Sequence, residues 1–171
     1  FIYIYILIII LIIFSILTWI EFNELTSKIF IKKTYKTDFL KLLIKAISLI
    51  YLTLFSFFIF SGIIQSDFKL SMLYLFCICV SSDVGGLFFG KVFRGKKLTK
   101  ISPNKTISGT IGSFILSLSL VPIFYYILDP QFNNFFYLLF IAIIVSLICQ
   151  LGDLFISLLK RKAKVKDTGN I

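Results

Sequence analysis

The chain is organised as long apolar runs separated by short polar and basic segments. Five runs stand out, at residues 1–20, 42–64, 71–89, 107–128 and 135–159. Most of them approach or exceed the ~20 residues that an α-helix needs to cross the hydrocarbon core of a bilayer. Their hydrophobicity is continuous, whereas the strands of a membrane barrel alternate with a period of two. The pattern therefore predicts an all-α polytopic integral membrane protein with about five transmembrane helices.

Composition supports a membrane protein and removes some kinds of site. Hydrophobic residues make up 58% of the chain, above the ~45–50% of soluble domains. The first run carries no charge and is nearly long enough to span, unlike a signal peptide, so we expect a true helix. Because the only methionine is Met72, we expect the natural start to lie upstream. With no histidine and three cysteines inside apolar runs, we expect packing cysteines and no zinc site.

Basic residues are distributed unevenly between the loops. Segments 21–45, 91–105 and 160–166 hold seventeen of the eighteen Lys and Arg residues, and the loop after the second run holds only Lys69. Cytoplasmic segments are enriched in Lys and Arg, which predicts an outside amino terminus and a cytoplasmic carboxy-terminal tail. Such alternation fits lipid contact better than a continuous nucleic-acid surface. We divide the chain into two amino-terminal spans with their basic loop, residues 1–69, and a catalytic membrane region, residues 70–171.

Two acids lie inside apolar runs, Asp83 in the third and Asp153 in the fifth. Such a placement is costly, so an intramembrane acid is a candidate functional residue. Asp83 precedes Gly90 by seven residues and Asp153 precedes Lys160 by seven, which puts both acids about 10 Å from a cytoplasmic helix end. Carboxylates at matching depth suit Mg²⁺, which binds through one or two carboxylates plus substrate phosphates. The alternative is that each acid pairs with a neighbouring lysine or polar group.

Helical spacing places other candidate residues beside these acids. Small residues that permit close helix packing share the face of Asp83, namely Cys79, Gly86 and Gly90. A stripe from the membrane to its surface is predicted on the fifth run by Asp153, Ser157, Lys160 and Lys164. An acid below and cations above fit a metal-bound phosphate group at the cytoplasmic interface.

The loop between the third and fourth runs contains Ser102-Pro103-Asn104-Lys105-Thr106. Ser-Pro-Asn favours a turn, after which a glycine-containing stretch begins a helix whose amino end faces the cytoplasm. A helix amino end with an adjacent lysine is a phosphate-binding arrangement. The chain contains no P-loop motif and no dinucleotide fingerprint.

Two segments carry recognisable motifs. The first runs from Ser82-Asp83-Val84-Gly85-Gly86 through FFGKVFRGKKLTKISPNKTISGTIGS, and the second from Gly152-Asp153-Leu154-Phe155 through ISLLKRKAKVKDTGN. The second is the more specific, with the pattern Ser157-x-x-Lys160-Arg161-x-x-x-x-Lys166-Asp167-x-Gly169. Together they resemble the phosphatidate cytidylyltransferase family, over the part of the chain from about Leu70 onward.

The resemblance implies an enzyme that makes CDP-diacylglycerol and pyrophosphate from CTP and phosphatidic acid with Mg²⁺. It implies catalytic roles for Lys160, Arg161, Lys166 and Asp167, substrate binding by Ser102, Lys105 and Thr106, and metal binding by Asp83 and Asp153. The stripe on the fifth run adds Ser157 and Lys164 as candidate substrate-binding residues. Ser108 and Ile156 depart from the family, whose members commonly have glutamate there. The chain also stops before the His-Gly-Gly and Asp-Arg-x-Asp part of the signature, so we expect this segment alone to be inactive.

Other functions stay open at this point. Related candidates are a CTP-dependent polyprenol or phytol kinase and an archaeal lipid cytidylyltransferase. A non-enzymatic carrier would also place acids in the membrane, although nearer its middle, and an inactive paralogue would share the motifs. We expect a bacterial inner (cytoplasmic) membrane protein with its active site facing the cytoplasm, surrounded by membrane lipid, and we leave a homodimer open.

Overall fold

The computed structural model describes residues 2–30, 34–65, 68–99, 102, 105–127 and 134–165. In these residues the chain forms helices α1 (Ile2–Ile29), α2 (Tyr35–Ile64), α3 (Lys69–Phe93), α4 (Ile107–Ser119), α5 (Val121–Ile127) and α6 (Phe135–Lys162). Five helical segments are long and apolar enough to cross a membrane, with α4 and α5 together forming one of them. The predicted all-α class and number of spans are confirmed, and the orientation of the termini stays a prediction.

The fourth span is two helices, whereas the sequence analysis predicted one. The chain turns at Leu120, where the backbone N–H donates to the carbonyl of Ser117 at 3.3 Å. Pro122 explains the break, because proline has no N–H and its ring clashes with the carbonyl four residues earlier in a helix. The span therefore keeps its length, with a one-residue interruption at Leu120 between its two helices.

The chain divides into two compact units, one comprising Phe1–Ser66 with Leu159–Ile171 and the other Asp67–Leu158. In the first unit, the hydroxyls of Ser15 on α1 and Ser56 on α2 lie 2.8 Å apart. Interhelical hydrogen bonds of this kind help helices associate in lipid, where the hydrophobic effect does not drive helices together. The second unit contains α3, α4, α5 and most of α6, including both intramembrane acids.

Helices α3 and α4 pack closely through glycine in the second unit. A Cβ added to Gly85 would lie 2.5 Å from the carbonyl oxygen of Gly112, and one added to Gly109 would lie 2.7 Å from that of Gly86. The Ser113 hydroxyl of α4 also donates to the carbonyl of Ser82 on α3 at 2.6 Å. The close approach predicted at Gly86 and Gly90 is confirmed, and Gly85 adds a further contact with the same helix, α4.

Helix α6 lies beside α3, and two contacts between them join residues with the same separation in sequence. The Tyr74 hydroxyl donates to the carbonyl of Leu138 at 2.8 Å, the hydroxyls of Ser82 and Ser146 lie 3.0 Å apart, and both pairs are 64 residues apart in sequence. Between these two contacts lies the buried core, formed by Tyr74, Ile78, Val121, Phe124, Leu138 and Ala142. The same register brings the later part of α3, with Asp83, beside the part of α6 that carries Asp153.

Candidate functional site

A short hairpin after α3 positions Lys105. The N–H of Leu98 donates to the carbonyl of Lys105 at 2.7 Å, and the N–H of Ile107 donates to that of Lys96 at 2.9 Å. The predicted turn falls partly on residues 103 and 104, outside the described residues, but the N–H of Lys105 donates to the Ser102 carbonyl at 3.1 Å. The backbone of Lys105 is therefore fixed, whereas its side chain keeps the freedom of a four-carbon stem.

Helix α4 begins directly after this hairpin, as predicted. Thr106 is its N-cap, and the Thr106 side chain accepts a hydrogen bond from the N–H of Gly109 at 3.1 Å. The N–H of Ile107 is used by the hairpin. Since capping occupies these N–H groups, the helix start offers fewer free donors to a phosphate than an uncapped end would. The cation of Lys105 is the stronger candidate for that contact.

A cavity of about 260 Å³ lies in the second unit, where α3, α4, α6 and the hairpin meet. Leu87 and Leu98 form an apolar part of its wall, and Gly86 and Gly109 also line it. The polar side chains in its wall are those of Ser82, Asp83, Lys105, Thr106, Thr110, Ser113, Gln150 and Asp153. The fold thus brings together both predicted metal ligands and two of the predicted substrate-binding residues.

Charges in the cavity are arranged unevenly. The ammonium Nζ of Lys105 lies 2.7 Å from Oδ2 of Asp153, and the two side chains are 28% and 56% exposed. Ion pairs at such exposure contribute only ~0–1 kcal/mol, so this contact is readily exchanged. Within the part of the chain that the structure describes, no hydrogen bond or ion pair reaches the carboxylate of Asp83, although its charge interacts with those of Asp153 and Lys105.

These contacts distinguish between the two interpretations of the acids, metal binding and pairing with a neighbouring lysine. Asp153 pairs with a lysine, as the structural alternative predicted, whereas Asp83 has no such partner among the described residues. The cavity nevertheless fits a divalent cation, because two carboxylates and the hydroxyls of Thr106, Thr110 and Ser113 supply hard oxygen atoms. No group of three or more His, Cys, Asp or Glu side chains gathers in the described ranges, so substrate or water oxygens would complete the coordination.

The other predicted site residues lie elsewhere. Ser102 is 9% exposed, and its N–H donates to the Thr99 hydroxyl at 3.2 Å, so it shapes the hairpin and does not line the cavity. Ser157 lies one turn beyond Asp153 on α6, also outside the cavity wall. Lys160 and Arg161 occupy the last turn of α6, in the first unit, and their roles stay predictions. Lys166 and Asp167 lie outside the described residues.

The predicted stripe on α6 is wrong at Lys164. Helix α6 ends at Lys162, and Lys164 has a left-handed backbone with φ of 56°. The N–H of Val165 donates to the Lys160 carbonyl and that of Lys164 to the Arg161 carbonyl, both at 3.1 Å. This is the Schellman arrangement that ends many helices, usually with glycine at the left-handed position. Because a lysine occupies it here, the sequence carried no signal for the end of the helix.

Sequence reasoning missed several cavity residues, of which Gln150 is the clearest. Its amide Nε2 donates to the Ser146 hydroxyl at 3.4 Å, and that hydroxyl also contacts Ser82. Ser146, Gln150 and Asp153 follow a spacing of four and three in an otherwise apolar run. That spacing places them on one face of a helix, so the signal was available in the sequence.

The two departures from the family have different surroundings. The Ser108 hydroxyl accepts a hydrogen bond from the N–H of Gly95 at 3.3 Å and lies 3.1 Å from that of Thr106. Ser108 therefore links Gly95, two residues beyond the end of α3, to the start of α4. Ile156 is 40% exposed on α6 and is not part of the cavity wall.

Several bacterial proteins are similar to this chain. The phosphatidate cytidylyltransferase of Rickettsia typhi is 44% identical over 123 residues, covering 68% of this chain and 53% of that protein. The phosphatidate cytidylyltransferase of Bacillus subtilis is 43% identical over 102 residues, covering 57% and 38%. The chain thus spans about half the length of the curated relatives it matches, or less. No solved structure matches it significantly.

The family assignment rests on the whole chain and not only on the motifs. A sequence model of the cytidylyltransferase family matches residues 1–171, including the first two spans, for which the motifs gave no resemblance. The resemblance inferred from the two motif segments is thereby confirmed. The chain belongs to the cytidylyltransferase family.

Proposed function

We propose that this chain is the nucleotide- and metal-binding part of a phosphatidate cytidylyltransferase. The observation that carries the proposal is that Asp83, Asp153 and Lys105 all line one cavity. Two carboxylates and an ammonium group suit a nucleotide triphosphate with a bound divalent cation. The names of the similar bacterial proteins supply the reaction and its substrates, and the family membership supports their transfer to this chain.

In the proposed reaction an oxygen of the phosphatidate phosphate attacks the α-phosphorus of CTP. A new phosphorus–oxygen bond forms, the bond from the α-phosphorus to the bridging oxygen breaks, and pyrophosphate leaves with the electron pair. Catalysis of such transfers depends mainly on positioning and on neutralising charge. The lipid substrate arrives from the bilayer and the nucleotide from the aqueous phase, so a cavity at the end of a helix bundle serves both.

The chain's own residues divide these tasks. Asp83 and Asp153 would hold Mg²⁺, which when bound supplies charge neutralisation and orientation of the phosphates. Lys105 would hold a phosphate of the nucleotide, and the hydroxyl of Thr106 would serve as a further donor at the same wall. Lys160, Arg161 and Lys166 are proposed to neutralise the remaining phosphate charge, and Ser157, at the surface end of α6, to donate a hydrogen bond to a phosphate. Asp167 is proposed to keep the catalytic role that the family resemblance implies.

The reaction class is tested with two differently labelled nucleotides. Membranes containing the whole protein that carries this chain should move label from α-³²P CTP into a lipid, provided that phosphatidic acid and Mg²⁺ are present. Label from γ-³²P CTP should appear only in pyrophosphate. The segment 1–171 alone should be inactive. Transfer of the γ-label to a polyprenol or phytol would instead indicate a lipid kinase, and transfer of neither label would favour a carrier or an inactive paralogue.

The proposed orientation predicts which loops face the cytoplasm. Single cysteines replacing Lys96 in the hairpin and Lys69 at the start of α3, both exposed, should react with an impermeant thiol reagent from opposite sides. The reason is the uneven distribution of basic residues between the loops. The background should have Cys77, Cys79 and Cys149 replaced by alanine. Labelling of both positions from the same side would contradict the five-span topology.

A further inference from the structure

The contact between Lys105 and Asp153 occupies the carboxylate that is proposed to bind the metal. The ammonium Nζ lies 2.7 Å from Oδ2 of Asp153, and the two residues are 48 apart in sequence. Asp83 lines the same cavity and has no hydrogen-bonding or ion-pairing partner among the described residues. The lysine therefore neutralises one of the two negative charges of the cavity. A cation that binds Asp153 would compete with the Lys105 ammonium group for the same carboxylate.

A divalent cation and the ammonium group repel each other, so they cannot share this carboxylate without cost. The backbone of Lys105 is held by hydrogen bonds to Leu98 and Ser102, whereas its side chain can change rotamer. An anionic phosphate in the cavity offers the ammonium group a second partner of equal or higher charge. Lys105 and Asp153 line the same cavity of about 260 Å³, so a phosphate bound there would be within reach of the Lys105 side chain without movement of the backbone.

We infer that Lys105 exchanges partners during binding and thereby couples the metal to the nucleotide. In the observed contact Lys105 holds Asp153. When nucleotide and cation bind, the Lys105 side chain turns to a phosphate and releases Asp153 to the cation. The inference rests on the proposed function for the identity of the nucleotide. The competition between Lys105 and a cation for Asp153 rests on the observed contact alone.

This exchange has a thermodynamic consequence. A cation that binds without nucleotide must displace Lys105 from Asp153. The displaced ammonium group then has no phosphate to pair with, so the cation binds weakly. A cation that binds with nucleotide meets a free carboxylate, so each ligand raises the affinity for the other by the same factor. Removing the ammonium group should therefore strengthen the binding of metal alone while it weakens the binding of nucleotide, a pair of opposite changes that a general loss of structure does not produce.

The test measures binding and needs no turnover. The whole protein in lipid nanodiscs is titrated with Mn²⁺, and free Mn²⁺ is followed by electron paramagnetic resonance, with and without CTP. Lys105→Met should raise the affinity for Mn²⁺ alone about two- to fivefold, because a partly exposed ion pair is worth at most ~1 kcal/mol. It should lower the affinity for CTP about tenfold or more, because a charge-assisted contact to phosphate is lost.

Two variants serve as controls. Lys97→Met removes the same charge from an exposed position on the same hairpin, and should leave the affinity for Mn²⁺ alone within about twofold of wild type because surface charges are screened. Lys105→Arg keeps the cation and should keep the coupling between CTP and Mn²⁺. If Lys105→Met folds poorly, Lys105→Arg still tests the inference. Loss of the coupling between CTP and Mn²⁺ binding in Lys105→Arg would contradict the exchange.

The outcomes separate this inference from the proposed function. The exchange is overturned if Lys105→Met binds Mn²⁺ alone no more tightly than wild type does. It is also overturned if Lys105→Met shows no Mn²⁺ binding. An equal gain in Lys97→Met overturns it as well, because the effect would then be general electrostatics. If Lys105→Met gains Mn²⁺ affinity but CTP binds to neither protein, the competition for Asp153 stands and the proposed nucleotide function fails.

Discussion

Asp83→Asn and Asp153→Asn should each reduce CDP-lipid formation by about three powers of ten or more, which corresponds to ~4 kcal/mol of transition-state stabilisation at ~1.4 kcal/mol per factor of ten. Both side chains line the cavity, and asparagine keeps their size while removing the charge that would hold the cation. The measurement is the rate of CDP-lipid formation per folded molecule across a Mg²⁺ titration, in the whole protein.

The same substitution at an acid outside the cavity is the matched control. Asp38 is exposed in the first turn of α2, and Asp38→Asn should leave the specific activity unchanged. If Asp153 serves only as the partner of Lys105, Asp153→Asn should lower stability or expression while the surviving protein remains active. Near-normal specific activity in either cavity variant would remove that residue from the proposed metal site.

Gly112→Ala should prevent normal packing of α3 against α4 and sharply reduce the amount of folded protein. A Cβ at this position would overlap the side chain of Phe89, and the backbone of α4 already lies against Gly85. Overpacking a close helix contact costs about 1–3 kcal/mol, and more when backbone must move. The expected result is a fall of several degrees in the midpoint of thermal unfolding, or loss of the monodisperse species in detergent.

Gly152→Ala is the matched control for this prediction. No heavy atom lies within 4 Å of a Cβ added to Gly152, and alanine is favoured over glycine in a helix by about 1 kcal/mol. The variant should therefore be at least as stable as wild type. The expectation about packing would be refuted if Gly112→Ala unfolded at the wild-type temperature, or if Gly152→Ala were the more damaging of the two.

The comparison of these two glycines shows where sequence reasoning reaches its limit. Both lie in the segments that resemble the family, and nothing in the local sequence separates them. Gly112 lies at a helix contact because Phe89, on another helix, points at it, whereas the surroundings of Gly152 are open. The partner of a glycine depends on the register between helices, and that register is a property of the folded bundle.

The chain's membrane character and its candidate acids were determined by the sequence, because both are local properties. Apolar runs of spanning length predict helices wherever they occur. A carboxylate inside such a run is so uncommon that Asp83 and Asp153 could be recognised as candidate functional residues from the sequence. Lys105 was identified by its place beside a turn and a helix start. None of these inferences required knowing which residues meet.

Contacts between distant residues were decided only by the tertiary structure. The alignment of α3, α4 and α6 determines that Lys105 pairs with Asp153 and that Ser82 contacts Ser146. The end of α6 before Lys164 is set by local backbone hydrogen bonds, which the sequence did not signal, whereas the break before Pro122 follows from the proline itself. Composition and spacing constrain each helix separately, but interhelical contacts are fixed by close packing and hydrogen bonding among several helices at once, so only the folded bundle could reveal them.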